Sequence, residues 1–254
     1  MSGAAEDFCI GWDVGGWNCD GNPNSRDALA ILDATLTPVG APWRGNMRDT
    51  LNRASSSRDW ISALFRLCGA SEPQDGVPVT LAIDTPLGFS EPFLRLAMGL
   101  QGVGSIGASN TNPYLFRQTE LHLFRQSLSP LSAIKDMIGS QATKGMHALA
   151  KFAPHRVGTG VWTDGACLTA IEAYPSACKA SPTIQALRQS LPAFDHEDKN
   201  DALTCALIAH LFATQITALE APGPEIPERE GWIWVPRDAF ETDETKSPMD
   251  VRLS

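Results

Sequence analysis

Residues 8–16 read FCIGWDVGG: an apolar run, an acid at Asp13, then a glycine pair. The run is short and uninterrupted, the signature of a strand buried in a sheet, with its one charge at the carboxyl end. The same design recurs twice. Val79-Thr80-Leu81-Ala82-Ile83 ends in Asp84, and the run from Leu168 to Ile171 ends in Glu172. A fourth acid, Asp201, opens the helical pattern DALTCALIAHLFA. Ligands of open α/β sheets bind outside the carboxyl ends of the strands, so these four acids are expected to converge there. Carboxylates a few Å apart raise one another's pKa unless a cation neutralises them, and Mg2+ or Mn2+ is the expected neutraliser.

The chain of 254 residues is 43% hydrophobic, enough for one large domain or one domain with an insertion. A net charge of -9 argues against a sequence-independent binder of long duplex nucleic acid, which needs a basic stripe. It leaves room for a metal-dependent nuclease, whose clustered acids add to that charge. The start MSGAAEDFCIGWD has neither a basic nor a long apolar segment, and no stretch is apolar over the 18 or so residues of a membrane span. Cys9, Cys19, Cys68, Cys167, Cys178 and Cys205 are widely spaced without a CxxC pair. Free thiols in a cytoplasmic protein with no membrane partner are therefore expected.

Strands are expected over 8–14, 27–35 and 36–43, although DALAIL also suits a helix. A helical pattern over 48–67 precedes the PVTLAID strand. Residues 90–154 read as an irregular helical insertion broken by QGVGSIGASNTNP, and LTAIEAY as a further strand. Pro175 opens a short helix, and the last long helix covers about 198–219. The core domain is therefore set at 1–219, with 220–254 a carboxyl-terminal extension containing the short strand GWIWVP and a frayed tail.

Each feature has a plainer explanation. An acid after a strand often caps a helix or solvates a turn. Gly15 and Gly16 either admit a phosphate or only make a tight turn. Asp198 and Asp201 share a helical face; capping accounts for Asp198 better than for Asp201. The substrate needs positive charge, for which Arg117, Lys144 and Lys199 are candidates, with Glu120 paired to Arg117. His196 stands near the acidic helix as a candidate proton shuttle, but a structural role is the simpler reading.

The segments GWDVGGW, LAIDTPLGF, FRQTELHLF, IEAYPSA and DKNDALTCALIAHLFA, in that order over residues 8–219, resemble a family of uncharacterised predicted nucleases with a ribonuclease H-like fold. The resemblance implies a mixed five-stranded sheet flanked by helices, with a helical insertion. It places Asp13, Asp84 and Asp201 in the metal-holding positions, adds Glu172, and matches Arg117 and Glu120 to an R-x-T-E block. One departure is the longer, turn-like loop 12–24, which bears on access to Asp13.

The expected activity is two-metal hydrolysis of a phosphodiester in a nucleic acid or nucleotide. Asp13 bridges the ions, Asp84 and Asp201 each hold one, and Glu172 or Asp198 completes a shell. Two alternatives stand: an actin-like, sugar-kinase-type ATP phosphotransferase using Asp13-Val14-Gly15-Gly16, and a non-catalytic binding module of the same fold. Against the phosphotransferase, Asp84 is followed by Thr-Pro rather than a second phosphate loop.

Overall fold

A computed structural model describes residues 7–240 of the chain. The elements that position the site are β1 (Phe8–Asp13), β2 (Asp27–Asp33), β3 (Trp43–Gly45), α1 (Arg48–Arg53), α2 (Ser57–Leu67), β4 (Val79–Asp84), α3 (Glu91–Gly99), α4 (Gln118–Arg125), α5 (Gly139–Phe152), β5 (His155–Gly158), β6 (Val161–Thr163), β7 (Leu168–Ala173), α6 (Pro175–Cys178), α7 (Pro182–Arg188), α8 (Glu197–Thr214) and β8 (Ile233–Trp234). The strands form one mixed sheet in the order β3-β2-β1-β4-β7-β6-β5, with β8 also beside β7. Strands β1, β4, β7 and β8 are parallel to their neighbours in that set, whereas β2, β3, β5 and β6 pair antiparallel.

The expected α/β architecture with a mixed sheet is present, but the described sheet has eight strands, not five. The additional strands include the β5–β6 hairpin, whose turn contains Gly160 at φ +73. Its strands are three and four residues long, too short for the period-2 pattern to stand out. The expected helix over 48–67 is two helices, because the chain is extended at Ala54 and Ser56; Ser56 caps α2 by accepting from the Asp59 amide at 3.0 Å.

Side chains alternate between the two faces of each strand. On one face Cys9, Ala82 and Ile171 pack beneath α8; on the other Ile10, Trp12, Leu81, Ile83 and Ala170 pack against α2 and α5 through Trp60, Phe65, Leu149 and Phe152. Helix covers both faces, which explains why β1 and β4 read as continuous apolar runs. Helix α8 is apolar almost all round, with Ala202 to Leu211 buried, as expected of a helix enclosed by the sheet on one side and by other elements elsewhere.

Gly11 fixes how α8 lies on the sheet. A Cβ there would stand 1.8 Å from the Ala202 carbonyl oxygen and 2.4 Å from the Ala206 amide nitrogen. Only glycine lets helix backbone rest directly on β1 at this point. Asp13 lies two residues further along the same face, toward the start of α8, so the helix begins over the carboxyl edge and runs back across the sheet.

The insertion at 90–154 is not uniform. Helix α3 buries no residue, whereas α5 places Ala148, Leu149 and Phe152 in the core. At Gly145 of α5 a Cβ would meet the Thr85 side chain at 2.5 Å. The carboxyl-terminal stretch is likewise part of the body as far as the structure describes it. Trp232, Ile233, Trp234 and Val235 are core residues, and Trp234 Nε1 donates to the Gly160 carbonyl at 3.1 Å. The extension proposed from sequence at 220–254 is therefore structural through Phe240, because β8 covers an edge of β7; the expected frayed tail lies outside the described residues.

Candidate active site

Asp13 and Asp84 close adjacent parallel strands and are register partners. Paired residues of neighbouring strands leave the same face, with backbones roughly 4.8 Å apart. That face is the one covered by α8, which carries Asp201. Among the described residues no hydrogen-bond donor or ion-pair partner engages the carboxylates of Asp13, Asp84 or Asp201; burial and neighbouring charge act on them. Burial, then Asp201 and Glu172, push Asp84 up to about 8, while Lys179 draws it down. Asp13 is raised well above the usual carboxylate range by burial, then by Asp84, Asp198, Asp201 and Asp27. Asp201 is raised mainly by burial, with Lys179 and Arg188 opposing.

The pair opens on a cleft of about 380 Å³ whose lining includes Asp13, Asp84, Thr85, Leu131, Ile138 and Gln141. The insertion contributes Pro130, Leu131, Ile138 and Gln141 to the wall of this cleft. Thr85 is 5% exposed, and its hydroxyl oxygen is buried without a hydrogen-bond partner. A buried polar atom left unpaired costs about 1–3 kcal/mol, a cost concentrated here next to Asp84.

Glu172 also lines this cleft and its charge acts on Asp84, but its carboxylate is already taken up by internal partners. The register pairs it with Ile83, one residue short of Asp84, so its side chain leaves the opposite face of the sheet. There Arg117 donates to both carboxylate oxygens, Nη1 to Oε2 at 2.8 Å and Nη2 to Oε1 at 2.6 Å, and the Leu87 amide donates at 2.8 Å. Arg117 Nε donates to Glu120 Oε1 at 2.8 Å, and all three side chains are at most 2% exposed. The assignment of Arg117 and Glu120 to substrate binding is corrected accordingly: they form a buried lock that also holds the Glu230 carbonyl.

Lys144 is corrected in the same way. Its Nζ donates to Asp27 Oδ2 at 2.7 Å and to the Gly16 carbonyl at 2.9 Å, with both charged side chains fully buried. Asp27 also accepts from Trp12 Nε1, from the Gly15 amide at 2.9 Å and from the Met47 amide at 2.6 Å. These bonds fasten the loop after β1. Gly15 is there for packing, since a Cβ would approach the Arg26–Asp27 backbone to 2.7 Å, and its amide is consumed internally.

Asp198 is a fastener too. Arg44 Nε donates to it at 2.7 Å and the Arg26 amide at 3.0 Å, tying β2 and β3 to the start of α8. The helix cap is His196, whose Nδ1 accepts from the Asp198 amide at 3.2 Å, so neither the expected capping by Asp198 nor its place in the metal shell matches its partners. Lys199 pairs with Asp195 at 2.9 Å.

Among the described residues no three His, Cys, Asp or Glu side chains form a ready-made metal-binding group. No family model, curated protein or solved structure matches the chain. The site is therefore defined by its own geometry: Asp13 and Asp84 side by side, Asp201 within electrostatic reach, and Thr85 beside them. Sequence reading missed Thr85 and Lys179. Thr85 was visible only as the neighbour of Asp84, and nothing in its local sequence distinguishes Lys179 until the fold sets it near both Asp84 and Asp201.

Among the described residues no helix is long and apolar enough to cross a membrane.

Proposed function

We propose that the protein is a divalent-cation-dependent phosphodiesterase of the nuclease type, with Asp13, Asp84 and Asp201 as its working acids. The observation that carries this reading is the contrast between two sets of carboxylates. Asp27, Glu120, Glu172 and Asp198 each have a cationic partner at 2.6–2.8 Å. Asp13, Asp84 and Asp201 lie at the ligand-binding edge without one. Hard oxygen donors suit Mg2+ or Mn2+, and Mg2+ commonly takes one or two carboxylates with water completing its shell. Asp13 and Asp84 would hold the ion, and Asp201 would supply the third acid. When bound, such an ion activates a water and stabilises the departing oxygen.

The chain's own contributions are positional. The shared register of β1 and β4 fixes Asp13 against Asp84, and Gly11 fixes α8 and hence Asp201. The Arg117–Glu172 lock stiffens the far side of the β4–β7 edge. An ATP phosphotransferase loses its main support, because the Gly15 amide that would meet a phosphate is bonded to Asp27.

Isothermal titration with Mn2+, joined to hydrolysis of a short phosphodiester, tests the reading. Wild type should bind Mn2+ and turn over, and Asp13→Asn should lose both. Absence of Mn2+ binding by the wild-type protein would refute it.

A further inference from the structure

A second cavity, of about 450 Å³, lies where α6 and α7 meet the start of α8. It flanks α6 opposite the acid cleft: Tyr174 and Ser176 line the cleft, while Cys178 and Lys179 line the cavity. Asp201 lines the cavity and acts electrostatically on Asp13 and Asp84 in the cleft. Each space is of a size to take one small ligand, and Asp201 joins them electrostatically, lining one and acting on the acids that line the other.

The chemistry of the cavity is amphipathic. Ile184 and Phe194 give it an apolar side suited to the face of a base, and Arg188 is fixed at its wall by the Asn200 carbonyl at 3.1 Å and the Thr204 hydroxyl at 3.0 Å. Lys179 stands at the rim with 58% of its side chain exposed, held only by Glu197 at 2.9 Å. An exposed pair of this kind is worth about 0–1 kcal/mol, so a phosphate oxygen can take the ammonium from Glu197 at little cost.

We infer that the substrate is a small phosphodiester of dinucleotide size, with its phosphate at Asp13–Asp84, one nucleoside in the cavity between α7 and α8, and Lys179 on the phosphate. This rests on the reading of the acids proposed above. The charge distribution favours it over a polymer. A long strand must be neutralised at many phosphates, yet among the described residues Lys179 and Arg188 are the only Lys or Arg lining either space. Arg44, Arg117 and Lys144 are committed to internal ion pairs, and the chain carries -9 overall.

The test compares 5′-phosphorylated thymidine dinucleotide with a circular single-stranded DNA, both in Mn2+, for binding and hydrolysis. The dinucleotide should be cleaved with at least tenfold higher kcat/KM than a bond of the circle. Lys179→Ala should raise KM for the dinucleotide about tenfold at saturating Mn2+. Gln185→Trp, which narrows the cavity from its lining, should weaken dinucleotide binding while Asp13 and Asp84, in the other space, keep their surroundings. Equal cleavage of the circle, failure of the dinucleotide to bind, or an unchanged KM in Lys179→Ala overturns the inference even when Mn2+ binds normally. Loss of Mn2+ binding in the wild type overturns the acid-site reading and this inference with it.

Discussion

Replacing Asp84 by Asn should make the protein more stable at alkaline pH and leave it nearly unchanged in acid. In the fold the Asp84 carboxyl titrates near 8 because of burial and then the Asp201 and Glu172 charges, against 3.8 for a free aspartate. A group whose folded pKa is raised binds its proton more tightly in the native than in the unfolded chain, so stability falls as pH rises from about 4 to about 8. Below that window both states carry the proton and no penalty exists; above it the whole penalty is present. At about 1.4 kcal/mol per pKa unit, the ceiling is roughly 6 kcal/mol. The carboxyl is partly open to the cleft, and screening there reduces the expected gain for Asp84→Asn to about 2–3 kcal/mol at pH 9. Urea unfolding of wild type and variant at pH 4, 6.5 and 9, in chelator, measures it. The two curves should diverge steadily with pH, and adding Mn2+ should close the gap by stabilising wild type alone. Parallel curves from pH 4 to 9 would show that Asp84 carries no unrelieved charge, and the argument for a cation at this edge would fall.

Asp13→Asn should abolish Mn2+ binding while raising the melting temperature in chelator, since the amide removes charge at nearly constant volume; a lower melting temperature would contradict the raised carboxyl. Asp201→Ala should weaken Mn2+ binding about tenfold or more, whereas Asp198→Ala should leave it within about twofold and cost about 1–3 kcal/mol in urea, because Arg44 and the Arg26 amide lose their acceptor. Equal losses of metal affinity would refute that ranking. Arg117→Ala should destabilise by about 3–5 kcal/mol, leaving Glu120 and Glu172 buried without a cation, and Arg117→Lys should recover only part because it cannot bond both Glu172 oxygens. A stable Arg117→Ala protein with impaired substrate binding would restore the role first expected of that residue.

The three parallel strands and the long helix were legible because burial on both sides leaves uninterrupted apolar runs, and the acids that end β1 and β4 were legible for the same reason. Glu172 was grouped with them from its place after a strand, but strand ends do not reveal which face a side chain takes. One step of register separates it from Asp84, and a single sequence carries no register. Arg117 and Lys144 illustrate a different gap. A cation within an insertion reads as surface, and only the fold brings Glu172 and Asp27, 55 and 117 residues away, close enough to bury the charge. The β5–β6 hairpin and β8 went unseen or unplaced because strands of two to four residues have too few alternations to declare themselves.

The pairing of β8 with β7 also constrains the order of events during synthesis. β7 emerges about sixty residues before its partner, with Glu172 at the end whose edge β8 later covers. Until residues 230–235 leave the ribosome, Arg117 lacks the Glu230 carbonyl, the Thr119 hydroxyl lacks the Ile233 amide, and Trp232 and Trp234 are missing from the core. A nascent chain halted after α8 would therefore display an unpaired strand edge beside a half-built ion lock. Such an edge is a template for wrong pairing, which makes the last described segment the step that commits the sheet to its own chain.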